Sequence, residues 1–354
     1  MILTSPDDLP PALAASVSDG EREFIQKLKT TGLPFAVTPH FASLAKPDRD
    51  DPIRRQFMPD PREEIRDPFA SDDPLNEALY RVTKRLVHQY RDRALLLAGG
   101  SCAGFCRYCF RRVRMSSKES SFMGSFIGAE ELAPVLAYLK SRPGIREILV
   151  SGGDPLTAED GALEELFIKL RGARPDLLIR LCSRVPITNP ARLKAETIRL
   201  FSGFKPLRIV THINHPGELS PPACSGLAAA VEEGIPVHVQ TVLLRGINDS
   251  ADVLEELFRK CLSIGISPYY LFQLDLAPGI AHFRVPLGEG LSIYRDLERR
   301  LSGLGLPAYA VDPGGGKIRL HEGVIAGEEG EGRDGGRVLL LKDREGKLWK
   351  YPGR

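Results

Sequence analysis

ALLLAGGSCAGFCRYCFRR occupies residues 94–112. Its first five residues form an unbroken apolar run, and two glycines then release the chain into a loop carrying Cys102, Cys106 and Cys109. A short apolar run closed by glycine reads as a buried strand. A chemically loaded loop directly after such a strand is where a parallel α/β barrel places its site. The C-x3-C-x2-C spacing gathers three thiols, which can ligate three irons of a cubane [4Fe–4S] cluster. The fourth iron is then open to a small molecule, whereas the usual electron carrier fills all four positions with cysteine. Zinc is the rival, and it normally takes four closed ligands. The nearest histidine is His88, fourteen residues upstream of Cys102, so a local Cys3His site has little support. Three adjacent thiols cannot all pair as disulfides. The spacing favours an open-iron cluster, with zinc or unligated core cysteines as the alternatives.

Outward from this stretch, apolar strands alternate with amphipathic segments. Strands are predicted at 94–98, 147–150, 177–181, 207–211, 236–242 and 268–274. Helices are predicted at 130–140, 163–170, 192–200, 219–233 and 251–264. Such alternation implies βα units around a parallel sheet. Six units close only part of a barrel, so the expected fold is α/β, a partial (β/α)6 TIM-like barrel. The expected organisation is a mostly helical wrapping arm at 1–93, the barrel core at 94–304, and a small C-terminal segment at 305–354. In the arm, Asp51-Pro52, Asp60-Pro61, Asp67-Pro68 and Asp73-Pro74 interrupt helices, because the residue before proline is pushed out of the α region. A helix is still predicted at 77–90, where Leu79, Val82, Leu86 and Tyr90 recur at three- and four-residue steps. In the tail, 312–317 is a turn, 327–336 reads as a mobile Gly/Glu-rich loop, and 338–341 with 348–351 reads as a hairpin.

Composition narrows the function classes. The formal net charge is +2, with 42% apolar and 27% charged residues, which gives no strong attraction to nucleic acid or membrane. Neither a secretory leader nor an apolar run of spanning length is recognisable. The other cysteines, Cys182, Cys224 and Cys261, are scattered singly and read as small buried hydrophobes. Concentrated but unpaired thiols indicate a reducing cytoplasm.

Further motifs cluster after the predicted strands. Ser151-Gly-Gly-Asp154 lets backbone groups approach a ligand closely, since no Cβ intervenes. His212 and His215 are three apart and could share a zinc ion, but lining a pocket is the simpler role because no third ligand is near. Lys317 follows three glycines, yet Ile318 follows it and Val311 stands where a P-loop needs its first glycine. A lysine on such a turn is suited to a Schiff base with an aldehyde cofactor; a solvated turn lysine fits equally. Asp275 and Asp312 could together grip an ammonium group, although each alone reads as a turn or cap residue.

Taken together, CAGFCRYCFRR, LVSGGDPL, RLCSRVPITNPARL, THINHPGEL, VQTVLLRGIND, PYYLFQLDLAPGIAHFR and VDPGGGK resemble the lysine 2,3-aminomutase family of radical S-adenosylmethionine enzymes. The likeness runs from about Phe35 to the C-terminus. It implies a radical SAM partial barrel and a [4Fe–4S] cluster on Cys102, Cys106 and Cys109, with S-adenosylmethionine on the open iron. Ser151, Gly152, Gly153 and Asp154 would line the amino end of that ligand, with His212 and Gln240 beside it. Lys317 would carry pyridoxal 5′-phosphate, with Arg93 supporting the phosphate. Arg111 would pair with the substrate carboxylate, and Asp275 and Asp312 would hold the side-chain ammonium of lysine. The implied reaction moves the 2-amino group of L-lysine to C3 through a 5′-deoxyadenosyl radical. An electron donor such as flavodoxin or ferredoxin would serve it, and a homo-oligomer is compatible with it. The alternatives are the same chemistry on another amino acid such as glutamate, or a non-catalytic iron–sulfur or zinc protein. Departures from the family pattern are Gln89 where arginine is common, Phe272 where tyrosine is usual, and a shorter glycine turn followed by Ile318. The C-terminal zinc-binding cysteines are absent, and Ser250 replaces their partner.

Overall fold

A computed structural model describes residues 2–116, 126–331 and 337–353 of the chain. The apolar run at 94–98 lies inside strand β3, which belongs to a ten-stranded sheet. In order, the strands are β1 (Arg81–Thr83), β2 (Leu86–Tyr90), β3 (Arg93–Gly99), β4 (Glu147–Gly152), β5 (Leu178–Cys182), β6 (Leu207–His212), β7 (Val237–Val242), β8 (Ser267–Phe272), β9 (Ala308–Val311) and β10 (Ile318–Arg319). Spatial order equals chain order. From β3 to β9 every neighbour is parallel, while β1, β2 and β10 are antiparallel edges.

Six helices make the crossovers: Ala129–Ser141, Asp160–Ala173, Ala195–Ser202, Pro221–Glu232, Ala251–Ser263 and Leu287–Arg300. The partial (β/α)6 barrel expected from the sequence is therefore present, with β9 added as a seventh parallel strand. Local sequence explains the helices. In Asp160–Ala173 the buried side chains are Leu163, Leu166, Phe167 and Leu170, one apolar stripe. Ser250 caps Ala251–Ser263 by accepting the Val253 amide, which satisfies an otherwise orphaned donor.

The sheet curls but does not close by strand pairing. Tyr90, at the end of β2, crosses the gap instead: its hydroxyl accepts the Lys317 amide at 3.0 Å and donates to Asp312 at 3.3 Å.

The arm contains the helices Pro11–Ala15, Asp19–Thr31 and Pro39–Ser43, but the helix predicted at 77–90 is absent. That stretch is a turn followed by β1 and β2. Leu79 is 78% and Val82 40% exposed, so the apparent stripe has no core to face. Adjacent Leu86 and Val87 are instead both buried, and pairing with β3 decides the conformation. The tail differs as well. Residues 325–331 form β11 (Ile325–Glu331), which pairs with β12 (Arg337–Lys342), and β12 pairs with β13 (Leu348–Pro352). The expected hairpin is thus β12–β13, and the front half of the expected glycine-rich loop is strand; residues 332–336 lie outside the described residues. Ladder bonds to β12 override the low strand propensity of glycine and glutamate.

The arm builds the floor of the cysteine loop. Phe105 and Arg107 donate backbone N–H groups to Ala36 and Gln56 at 2.9 Å each. The fully buried Arg107 side chain reaches the Leu33 carbonyl and pairs with Glu63, which also holds Arg112. Removing one partner from a buried pair leaves charge uncompensated, so Glu63→Ala is expected to cost about 3–5 kcal/mol. Denaturant unfolding checks this value, and iron retention should fall in the same variant because Arg107 stands between two of the cysteines. Among the described residues, no helix is long and apolar enough to cross a membrane.

Candidate active site

The carboxyl ends of the parallel strands, the cysteine loop and the glycine turn surround one cavity of about 340 Å³. Every residue singled out from the sequence for a ligand or metal lines it, His215 excepted. Cys182 also lines it, contrary to its reading as a core cysteine.

Two loops interlock at the first wall. Gly152 adopts φ +121°, and a Cβ there would strike the Gly99 carbonyl, so this position requires glycine. The Gly153 and Asp154 amides donate to Gly99 and Ser101 at 2.6 and 2.7 Å, which fixes the start of the cysteine loop. The Asp154 carboxylate accepts from Leu156 N, Ser183 Oγ, Arg184 N and Val185 N. Asp154 therefore ties the loop after β4 to the loop after β5, and its carboxylate is engaged by the chain's own donors.

Burial pushes the Cys102 thiol well up, with Asp154 and the neighbouring thiols adding to it, and burial pushes Cys109 up to about 11. Thiols raised in this way, Cys102 and Cys109, need a strongly cationic partner to ionise. Among the described residues, no three His, Cys, Asp or Glu side chains converge as a single ion would require. A mononuclear zinc site demands all its donors around one point, at about 2.3 Å for sulfur. A cubane takes each cysteine on a different iron and holds the thiolates farther apart. Three cysteines on one loop are the donor set a cubane takes, one to each of three irons. Arg184, largely buried, donates to Cys106 Sγ at 2.9 Å and is anchored on Glu218 at 2.9 Å and on Gln56.

His212, at the end of β6, is the register partner of Gln240 within β7. Burial, with Arg184 nearby, lowers His212 to about 4, so it is a neutral hydrogen-bonding ring at physiological pH. His215 turns away and accepts the Gly217 amide through Nδ1 at 3.1 Å. The two histidines share no site, which removes the zinc alternative for them.

The glycine turn brings Lys317 to the cavity. Its Nζ lies 3.8 Å from Asp312 and 5.4 and 5.6 Å from the ring centres of Tyr90 and Phe272. Burial lowers the Lys317 amine, opposed by Asp312 and reinforced by Arg93. Arg93 stacks at 3.7 Å on Tyr90. Arg180, from β5, lines the same cavity while paired to Glu147. Gln89 Nε2 is buried there without a hydrogen-bond partner. Two guanidiniums and an unsatisfied amide donor around a lysine make a cradle for an anion.

Arg111 is held by Glu77, with Nη2 to Oε1 at 2.6 Å. That contact uses Nε and one terminal nitrogen, and the second terminal nitrogen remains for a carboxylate ligand. Asp275 is pushed up to about 7 by burial and by the Asp312 carboxylate. Asp312 Oδ1 accepts the Gly314 and Gly316 amides at 3.2 and 3.3 Å, so it shapes the turn as well as facing the cavity. Sequence reasoning missed Tyr90, Glu77, Arg180 and Arg184. The last two stand inside a quoted motif, but only the fold reveals what they touch.

The Radical SAM superfamily model matches residues 96–258. A Treponema pallidum chain provisionally named L-lysine 2,3-aminomutase is 45% identical over 85% of this chain and 83% of its own length. The L-lysine 2,3-aminomutase of Clostridium subterminale is 35% identical over 90% of this chain and 75% of its own. The glutamate 2,3-aminomutase of Clostridioides difficile is 32% identical over 93% and 76%.

Proposed function

Because the chain belongs to the lysine 2,3-aminomutase family of radical S-adenosylmethionine enzymes, and is thus an isomerase, we propose that it converts L-lysine to β-lysine. The observation that carries the choice of substrate is the pair of carboxylates, Asp275 and Asp312, on a cavity that also presents Arg111 and Lys317. An α-amino acid with an ammonium at its far end matches that pattern: carboxylate to Arg111, ammonium to the two acids. A second carboxylate in its place would be repelled unless an acid were protonated.

Cys102, Cys106 and Cys109 would hold the [4Fe–4S] cluster, and three partly buried cysteine sulfurs on one loop facing the cavity fit it. Once reduced by an external donor, the cluster would supply the single electron that cleaves S-adenosylmethionine to methionine and a 5′-deoxyadenosyl radical. Ser151, Gly152 and Gly153 would present backbone groups to the methionyl end, Asp154 would hold that wall in register, and His212 and Gln240 would offer neutral hydrogen bonds. Arg184 would donate to the cluster ligand Cys106.

Lys317 would bind pyridoxal 5′-phosphate covalently, and Arg93, Arg180 and Gln89 Nε2 would take its phosphate. The unsatisfied Gln89 donor is the observation that supports this fit, and Arg180 makes up for the arginine that Gln89 replaces. Bound there, the cofactor supplies the π-system that lets the amino group migrate. An electron donor of the flavodoxin or ferredoxin kind would complete the system in the cell.

Anaerobic reconstituted protein with lysine, S-adenosylmethionine and a reductant should yield β-lysine, and a panel including glutamate under the same conditions should yield much less product. Cofactor cleavage with no β-lysine would sink the reading, as would a preference for glutamate. The acid pair adds a pH signature. Only ionised Asp275 attracts the ammonium, so kcat/KM should rise as pH rises through about 7 and level above it. Asp275→Asn should abolish that limb and lower kcat/KM for lysine about 10²-fold, as expected when one partner of an enclosed charge pair is removed. An unchanged pH profile in the variant would exclude this role for Asp275.

A further inference from the structure

The glycine turn that carries Lys317 has little conformational preference of its own. Three consecutive glycines, Gly314 to Gly316, lead into the lysine, and two of them adopt positive φ, +88° and +114°. Glycine loses more freedom on ordering than any other residue, so a turn built this way needs external contacts to hold one shape. From below, Asn76 donates to the Gly314 carbonyl at 3.1 Å and Tyr90 accepts the Lys317 amide at 3.0 Å. Asp312 Oδ1 accepts the Gly314 and Gly316 amides from within, and a further contact comes from the C-terminal hairpin. The Trp349 ring lies so close against Gly315 that any side chain at that position would overlap it. Trp349 is itself pinned, with Nε1 donating to Asp343 at 2.8 Å and Lys347 Nζ 3.9 Å above its ring.

The same face of the hairpin makes a second contact, because residues two apart on a strand point the same way. Tyr351, 1% exposed, donates its hydroxyl to the Leu274 carbonyl at 2.8 Å. Leu274 lies beyond the end of β8 and immediately before Asp275, where the parallel ladder no longer supplies a partner. One short β-ribbon therefore touches both the turn that carries the lysine and the backbone that carries the acid.

We propose that Trp349 and Tyr351 are positioning residues: through β13 they lock the Gly314–Gly316 turn against the Leu274–Asp275 backbone, fixing Lys317 relative to Asp275 across the cavity. The inference rests on the reading of Lys317 as the pyridoxal lysine and Asp275 as a substrate-binding acid. It assigns no chemistry to either aromatic residue. It predicts a division of labour, in which losing the ring loosens the cofactor and losing the hydroxyl loosens the substrate.

Trp349 is the only tryptophan of the chain, so the unaltered holoenzyme contains its own probe. Loading with pyridoxal 5′-phosphate should strongly quench tryptophan emission by energy transfer, and emission that does not respond would overturn the proposal. In Trp349→Ala, cofactor affinity should fall about tenfold, the equivalent of re-ordering one glycine backbone on binding. Trp349→Phe, which keeps an aromatic face, should restore it. In Tyr351→Phe, KM for lysine should rise about three- to tenfold with kcat and cofactor affinity near the parent values, as the loss of one neutral hydrogen bond implies. Parent-like cofactor affinity in Trp349→Ala and parent-like KM in Tyr351→Phe, with circular dichroism unchanged, would overturn the proposal. Borohydride reduction with peptide mapping separates the two levels. A label on a lysine other than Lys317 defeats the underlying reading. A label on Lys317 with both variants unaffected defeats the positioning role alone.

Discussion

Replacing any one of Cys102, Cys106 or Cys109 by alanine is expected to abolish β-lysine formation, a loss of more than about 10⁴-fold, since the uncatalysed rearrangement contributes nothing measurable. The argument is one of coordination. On the proposed reading three protein ligands serve four irons, so each thiolate lost would expose a second iron, and neither Asp154 nor His212 is suited to substitute: Asp154 is engaged by four donors of its own chain, and His212 is a low-basicity ring already paired with Gln240. Iron and sulfide content, visible absorbance and 5′-deoxyadenosine release should all fall together. Cys224→Ser is the control, because its thiol only donates to the Leu219 carbonyl at 3.6 Å and does not line the cavity. It should keep parent-level iron. A Cys109→Ala protein with full iron content that still cleaves S-adenosylmethionine would show that the cluster is held elsewhere.

The cysteine loop shows why so much of the site was legible in the sequence. Strands buried on both faces must be apolar throughout, so 94–98 announces itself, and a loop bearing three thiols behind it can scarcely be structural filler. The acids and the lysine were legible for a related reason: each follows a strand or a glycine turn, where side chains are displayed toward a ligand. The reading failed where the deciding contact is distant. At 77–90 the spacing of Leu79, Val82, Leu86 and Tyr90 satisfies a helical period, but only the presence of β3 alongside makes this stretch the β1–β2 pair at the sheet's end. β9 is four residues long and follows a proline, too short to announce itself without its parallel neighbour. Tyr90 and Lys317 are 227 positions apart, and no local pattern reports that they meet. Arg180 is the instructive case. In the sequence Gln89 is only a departure where arginine is common, while the fold brings a second arginine to the same cavity from β5.

Lys317→Ala is expected to lower β-lysine formation by more than about 10³-fold while leaving the iron content unchanged. The covalent attachment of the cofactor and its placement are both lost, and well-oriented intramolecular groups are worth effective concentrations of at least that order. Two features of the site make this lysine suited to the task. Its amine is lowered by burial, so more of it is the nucleophilic free base at neutral pH than in an exposed lysine. It also stands beside Arg93 and Arg180, so an anionic aldehyde is drawn to the same place. Because the cluster ligands lie on a separate loop, reductive cleavage of S-adenosylmethionine should persist in the variant, uncoupled from product. Lys317→Arg makes the complementary case: it keeps a cation near Asp312 yet cannot form the covalent bond, so it should be as inactive as alanine. The loss of bound pyridoxal absorbance, together with retained 5′-deoxyadenosine release, distinguishes this outcome from collapse of the fold. If Lys317→Arg retained more than a tenth of the parent rate, Lys317 would be a charge partner for Asp312 and not the cofactor's anchor.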